Sequence, residues 1–275
     1  MMRNILAVTD NGEEASGFLR GAARYATTKD AFLEVAVLTP ATMTSPALAP
    51  LAGFYIPDVL LVGDDASNVA GVQEALRAAG CDYEVYGFHD NVAWLAGDIE
   101  RSRQIADLIL IGGPEIWRSR RLRRRVLETL IRSSGTPILI MPENVEIVSF
   151  SRAVLGWKLG PEATRALHAL IALVEPAAAI DVVTAGMTLP ECTRELGAHH
   201  EVRRHLTRHG LTADSHWLVD DEHIEAQTLT EHAQKIGADL LAVGGFSHSK
   251  MRDIVLGSVT RDLVERSDLP TLIVG

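Results

Sequence analysis

The sequence predicts an α/β protein made of two tandem domains, each a five-stranded parallel sheet. Three observations carry that prediction. A segment recurs: Ala106-Asp107-Leu108-Ile109-Leu110-Ile111-Gly112-Gly113 has the same form as Ala238-Asp239-Leu240-Leu241-Ala242-Val243-Gly244-Gly245. Its sequel recurs too, as Gly135-Thr136-Pro137-Ile138-Leu139-Ile140-Met141 and then Asp268-Leu269-Pro270-Thr271-Leu272-Ile273-Val274. Finally, short apolar runs alternate with helical stretches, the order of βαβ crossovers that lay strands parallel and cover both sheet faces.

Taken in order, residues 4–10 read as a first strand and 13–26 as the helix after it. Residues 33–39 are the next strand. The Pro-punctuated stretch 40–58 reads as loop with some helix, since Pro and Gly break longer elements. Residues 108–111 are continuously apolar and suit a strand buried on both faces. The second half repeats the plan, with strands near 152–157, 179–184, 213–219, 239–243 and 271–274 and a helix over 161–174. The halves join around 142–149, so the domains are 1–145 and 146–275, expected to pack as a pseudo-dimer within one chain.

The bulk numbers fit. The 275 residues suit two ordinary domains, and 47% hydrophobic content supports sizeable cores. A net charge of −10 argues against a general nucleic-acid binder, because phosphate contacts need Lys and Arg. Two distant cysteines, Cys81 and Cys192, make no disulfide framework and suit a reducing cytoplasm. No apolar run reaches the length of a membrane span, and the N-terminal run is too short for a signal-peptide core.

The segment from Gly244 to Ser258 carries the most chemistry. It leaves a buried strand and enters a helix near Ser258. Ligands of open α/β sheets bind at the carboxyl ends of strands, and helix N-termini attract anions. Glycine lets backbone approach a phosphate closely. Equally, Gly244 and Gly257-Ser258 serve as punctuation, with Ser258 a helix N-cap.

The whole loop resembles that of the universal stress protein family: Gly, two residues, Gly, nine residues, Gly, then Ser or Thr. Gly244 and Gly257-Ser258 match, and Ser247 stands where the second glycine belongs. The resemblance implies a five-stranded parallel fold of the adenine-nucleotide α-hydrolase kind, paired in the family through the last strand, which admits a homodimer. It also implies ATP, with magnesium, in the second domain only. Gly244, Ser247, His248, Gly257 and Ser258 would form the phosphate cradle, with Trp157 and Lys158 at its rim. Family ATP binders carry Asp at the end of the first strand; Asp10 matches in the first half and Lys158 replaces it in the second. In the first half Arg123-Arg124-Arg125-Val126 replaces the Gly-Ser end, so that loop is degenerate. The implied role is a cytoplasmic stress-response or regulatory protein with an unnamed protein partner. Its rivals are a nucleotide-free interaction scaffold and a weak ATP hydrolase using His248 or Asp253. A non-enzyme is favoured, for want of a Walker motif or a metal pair.

Each residue has a plainer reading. His248 either reaches a phosphate or covers the loop. Asp10 is a ligand or a cap of the first helix. Trp157 is read as packing at a strand end in preference to an adenine platform. The run 118–125 could bind phosphate or RNA but reads first as a solvated face, with Arg124 and Glu128 spaced for an i,i+4 pair. Nine of ten histidines lie in the second half, and His205 and His209 share a helix face, but no site completes around them, so no metal is expected. Cys81 begins a strand and has no partner that makes it a nucleophile.

Overall fold

The computed structural model describes residues 2–43, 61–62, 65–90, 95, 97, 105–142, 149–186, 189–218, 225–245, 258–266 and 268–275. The chain divides into two compact units, Met1–Glu146 and Ile147–Gly275.

In the first unit the parallel sheet runs β7 (Ile138–Met141), β6 (Leu108–Gly112), β1 (Asn4–Thr9), β2 (Phe32–Pro40), β5 (Tyr83–Asp90). Among the described residues its helices are α1 (Ser16–Lys29), α2 (Asp65–Leu76) and α3 (Arg120–Ser133). A short antiparallel pair, β3 (Thr42–Met43) with β4 (Leu61–Val62), flanks the stretch read as loop, most of which lies outside the described residues. Cys81 precedes β5 rather than starting it, and burial pushes its thiol pKa up, which leaves it a poor nucleophile.

In the second unit the parallel order is β10 (Thr212–Leu218), β9 (Ala179–Ala185), β8 (Arg152–Gly156), β11 (Leu240–Gly244), β12 (Thr271–Val274). Its helices are α4 (Pro161–Leu173), α5 (Leu189–Arg208), α6 (Glu225–Ile236) and α7 (Ser258–Arg266). Counted within each unit, both sheets have the strand order 3-2-1-4-5, so the sequence repeat extends to topology.

The apolar runs became the central strands because both faces are covered. Leu108, Ile109, Leu110 and Ile111 are fully buried, as are Leu240, Leu241 and Ala242. Each large side chain hidden this way stabilises by about 1.5–3 kcal/mol. Helix α4 shows the matching helical stripe: Ala163, Ala166, Leu167, Leu170 and Leu173 are buried at spacings of three and four. Pro161 opens it at a position where no backbone N–H is needed.

The repeated Ala-Asp has a physical cause. Asp107 Oδ2 accepts hydrogen bonds from the backbone N–H groups of Arg3 (2.7 Å) and Asn4 (3.0 Å). Asp239 does the same in the second unit, accepting from Ser151 N–H (2.8 Å), Ser151 Oγ (2.9 Å) and Arg152 N–H (3.1 Å). Each aspartate satisfies donors at the entry of its unit's first strand, which the ladder leaves unpaired. Those bonds hold the Asp107 carboxyl below the ordinary carboxylate range.

Candidate functional site

In a sheet of order 3-2-1-4-5 the chain reverses its direction of progress between strands 1 and 4. A crevice opens there at the carboxyl ends, where ligands of such folds bind. The second unit places Gly156, Trp157 and Lys158 at the end of β8, beside Gly244 and Gly245 at the end of β11. Helix α4 starts from Gly160-Pro161, separated from Lys158 by Leu159 alone, and α7 starts at Ser258. Two helix N-termini thus follow the two strands that frame the crevice.

Several contacts fix this end of the sheet. Thr260 Oγ1, on the first turn of α7, donates to the Gly245 carbonyl (3.2 Å), and Gly245 N–H donates to the Val274 carbonyl (2.7 Å). Gly244 is required by packing: a Cβ there would lie 2.8 Å from Glu162 Cβ and 3.0 Å from Ala163 N. Strand β11 therefore ends against the first turn of α4, with no room for a side chain. Lys158 is exposed, and Leu159 beyond it is 67% exposed.

Trp157 is buried. Its backbone N–H donates to the Val183 carbonyl (2.8 Å), while its indole Nε1 has no acceptor among the described residues. Sequence reasoning missed what stands behind it. Thr184 Oγ1 donates to the Trp157 carbonyl (2.7 Å) and lies 2.8 Å from His199 Nε2. Since the hydroxyl proton goes to Trp157, His199 donates its Nε2–H to the threonine oxygen, and Nδ1 carries the lone pair. His199 is 1% exposed and stacks on Trp217 at 4.5 Å. Burial, and then the neighbouring His216, lower its pKa to about 4, so the ring is neutral at pH 7.

The equivalent crevice of the first unit is closed by the chain itself. Asp10 is 2% exposed and both carboxylate oxygens are taken up. Oδ1 accepts from Asn11 Nδ2 (2.8 Å) and Arg118 N–H (3.2 Å), and Oδ2 accepts from Ser119 N–H (2.8 Å). Asp10 therefore does not cap α1. Asn11 Oδ1 accepts from Glu14 N–H (2.9 Å) and Ala15 N–H (3.2 Å), while Asp10 ties the strand end to the loop before α3. A 3-10 turn, Pro114–Ile116, fills the space beyond β6: a Cβ on Gly112 would lie 2.2 Å from Ile116 Cδ1.

The solvated-face reading of the arginine run is corrected at Arg123, while Arg118 is exposed and paired. Arg123 is 3% exposed and donates Nε–H to the Gly112 carbonyl (3.0 Å). Arg118 donates to both Glu14 oxygens (3.1 and 3.0 Å), to Glu13 (3.3 Å) and to Asn68 (3.2 Å), and it lowers the Glu14 pKa through that hydrogen bond. Arg123 thus covers the end of β6, and Arg118 is neutralised by Glu13 and Glu14 of the same unit.

The sequence model of the universal stress protein family matches residues 152–275, nearly the whole second unit. Through this unit the chain is similar to the universal stress protein family. A universal stress protein from Archaeoglobus fulgidus DSM 4304 shares the fold at a TM-score of 0.66 and 15% identity, covering 98% of this chain and 97% of that one. A protein from Pseudomonas aeruginosa UCBPP-PA14, described as a putative universal stress protein, shares it at a TM-score of 0.59 and 15% identity, covering 99% and 93%. The stress response protein NhaX of Bacillus subtilis (strain 168) is 37% identical over 49 residues, 18% of this chain and 30% of that relative.

Within the second unit, the structure sets Trp157 and Lys158 at the end of β8 beside Gly244 at the end of β11, and α7 starts at Ser258. Asp10 belongs to the first unit's own strand end. Ser247, His248 and Gly257 lie outside the described residues. His205 and His209 do share a face, with ring centres 4.7 Å apart. No described helix is long and apolar enough to cross a membrane.

Proposed function

We propose that this is a stress-response regulatory protein with one adenine-nucleotide site, in the second unit, taking ATP with magnesium. The observation that carries the reading is the contrast between two equivalent crevices. The second has an exposed cation, Lys158, a buried indole N–H without an acceptor among the described residues, and helix N-termini after both framing strands. The first has its carboxylate and its strand end consumed internally. Bound ATP would bring phosphate negative charge, and magnesium would partly neutralise it. Lys158 would meet a phosphate as a point charge, and the Gly244–Ser258 segment would offer backbone N–H groups.

The first unit is, on this reading, a second universal-stress-type domain, 1–145, that keeps the fold and has lost the ligand. The protein lives in the cytoplasm and acts by biasing contacts with a protein partner. ATP binding only the folded state must raise the thermal midpoint, and calorimetry should find about one site per chain. Neither heat nor a thermal shift with millimolar ATP and magnesium would remove the reading.

A nucleotide-free scaffold is the second reading, favoured by one observation: Gly244 is already explained by its packing against Glu162 and Ala163. The same titration decides between the two.

A further inference from the structure

Away from the crevice, the second unit gathers three metal-ligating side chains from three elements. Asp181 lies on β9, His216 on β10 and His232 on α6. The register of the parallel pair sets Asp214 opposite Asp181. His216, two residues further, therefore stands on the same sheet face as Asp181. Helix α6 packs over β8 and β9, and His232 comes from the turn that buries Ala233. The cluster is thus held by two paired strands and a packed helix rather than by a loop.

The donor atoms converge. His232 Nε2 lies 2.9 Å from Asp181 Oδ2, and His216 Nε2 lies 3.0 Å from the same oxygen. One ligand atom from each of the three residues fits within 4.8 Å. His216 Nε2 is out of line for a hydrogen bond, and this buried nitrogen has no hydrogen-bond partner among the described residues. The two imidazole rings tilt toward one another with centres 4.8 Å apart. Asp181 is 4% exposed, and the guanidinium of Arg152 reaches only to 3.9 Å of its Oδ1. A carboxylate this buried needs a close cation or a metal, and a distant arginine with two imidazoles supplies neither in full unless a proton or a metal ion joins them.

We propose that Asp181, His216 and His232 form a binding site for a divalent first-row transition metal, with zinc the natural occupant of a two-nitrogen, one-oxygen set. A tetrahedral ion bonded at about 2.0–2.2 Å to each donor needs neighbouring donors roughly 3.3–3.6 Å apart. The observed 2.9 and 3.0 Å require an opening of about half an ångström, with the two imidazole donors, within 4.8 Å of each other, adjusting to the same separation. Binding displaces the proton shared between His232 and Asp181. His216 is 36% exposed and marks the side from which the ion enters and on which water completes the coordination. Arg152 stays on the other carboxylate oxygen and orients Asp181 as an outer partner.

A competing cluster gives the test its control. His205 lies between His168 and His209, with ring centres at 5.6 and 4.7 Å, and would take up metal as an exposed histidine patch. Chelator-stripped full-length chain is titrated with zinc against a chromophoric chelator, and with cobalt followed by its visible absorption. The proposal expects about one zinc per chain and a tetrahedral-type cobalt spectrum. Affinity should fall by about tenfold or more in both His216→Ala and His232→Gln, and stay the same in the double variant His205→Ala/His209→Ala. His216 sits half-exposed on β10, so its variant, checked by circular dichroism, decides even if His232→Gln fails to fold. No zinc uptake by the wild type, uptake that survives His216→Ala, or uptake lost with His205 and His209 would each overturn the site.

Discussion

The two units treat the amino ends of their sheets alike and the carboxyl ends oppositely. At the amino end, Asp107 and Asp239 each accept the backbone N–H groups that open strand 1. At the carboxyl end, Asp10, Asn11 and Gly12 are buried under the unit's own loops, whereas Lys158 and Leu159 are exposed. The shared end concerns only folding, since any strand entry must satisfy its donors. The differing end lies at the switch point, where a fold can be spent on a ligand or on itself. In the first unit the strand ends are taken up internally, Asp10 by the Arg118 and Ser119 N–H groups and the Gly112 carbonyl by Arg123.

The comparison can be broken in four ways. The largest effect belongs to Asp10→Ala. It strands the part-buried backbone donors of Arg118 and Ser119 and should cost about 2–3 kcal/mol in urea denaturation, with nucleotide affinity unchanged. A loss under 1 kcal/mol would mean that the first crevice is not sealed as described.

Acid should act on the second unit through His199. Its folded pKa of about 4 lies below the ordinary 6.5, so between those pH values the unfolded chain binds a proton that the folded chain refuses. Stability therefore falls as the pH drops from 6.5 to 4, by up to about 3 kcal/mol. His199→Gln, which keeps a hydrogen-bonding group and cannot titrate, should flatten that part of the stability–pH curve. An unchanged curve would contradict the neutral assignment.

Gly244→Ala forces a Cβ against backbone atoms of α4 and should destabilise by about 1–3 kcal/mol. A neutral result would show that α4 yields, and would return Gly244 to the role of a ligand-facing glycine alone. The smallest stability effect is expected at Lys158→Ala, within about 0.5 kcal/mol, because the side chain is exposed. Its effect should appear in ATP affinity.

Much of the fold was legible because the repeat and the buried runs are local signals. The strand after Ala238-Asp239 could hardly be anything else, with four aliphatic residues ending in two glycines. The site was legible only at its two strand ends. Asp10 looked like a ligand because its partners, the N–H groups of Arg118 and Ser119, are more than a hundred residues away and carry no side-chain signature. Arg123 looked solvated because a run of arginines shows no burial pattern until the helix face is known. His199 and Thr184 belong to different elements, as do Asp181, His216 and His232. Strand register and the packing of α6 bring the latter three together, and neither shows in the local i,i+4 spacing that made His205 and His209 conspicuous.

The most direct test is calorimetric titration of ATP with magnesium into nucleotide-stripped wild type, Lys158→Ala and Asp10→Asn, each shown to be folded. The account predicts about one site per chain in the wild type, about tenfold weaker binding in Lys158→Ala, and unaltered binding in Asp10→Asn. Binding lost in Asp10→Asn and kept in Lys158→Ala, or no binding by the wild type, would contradict it.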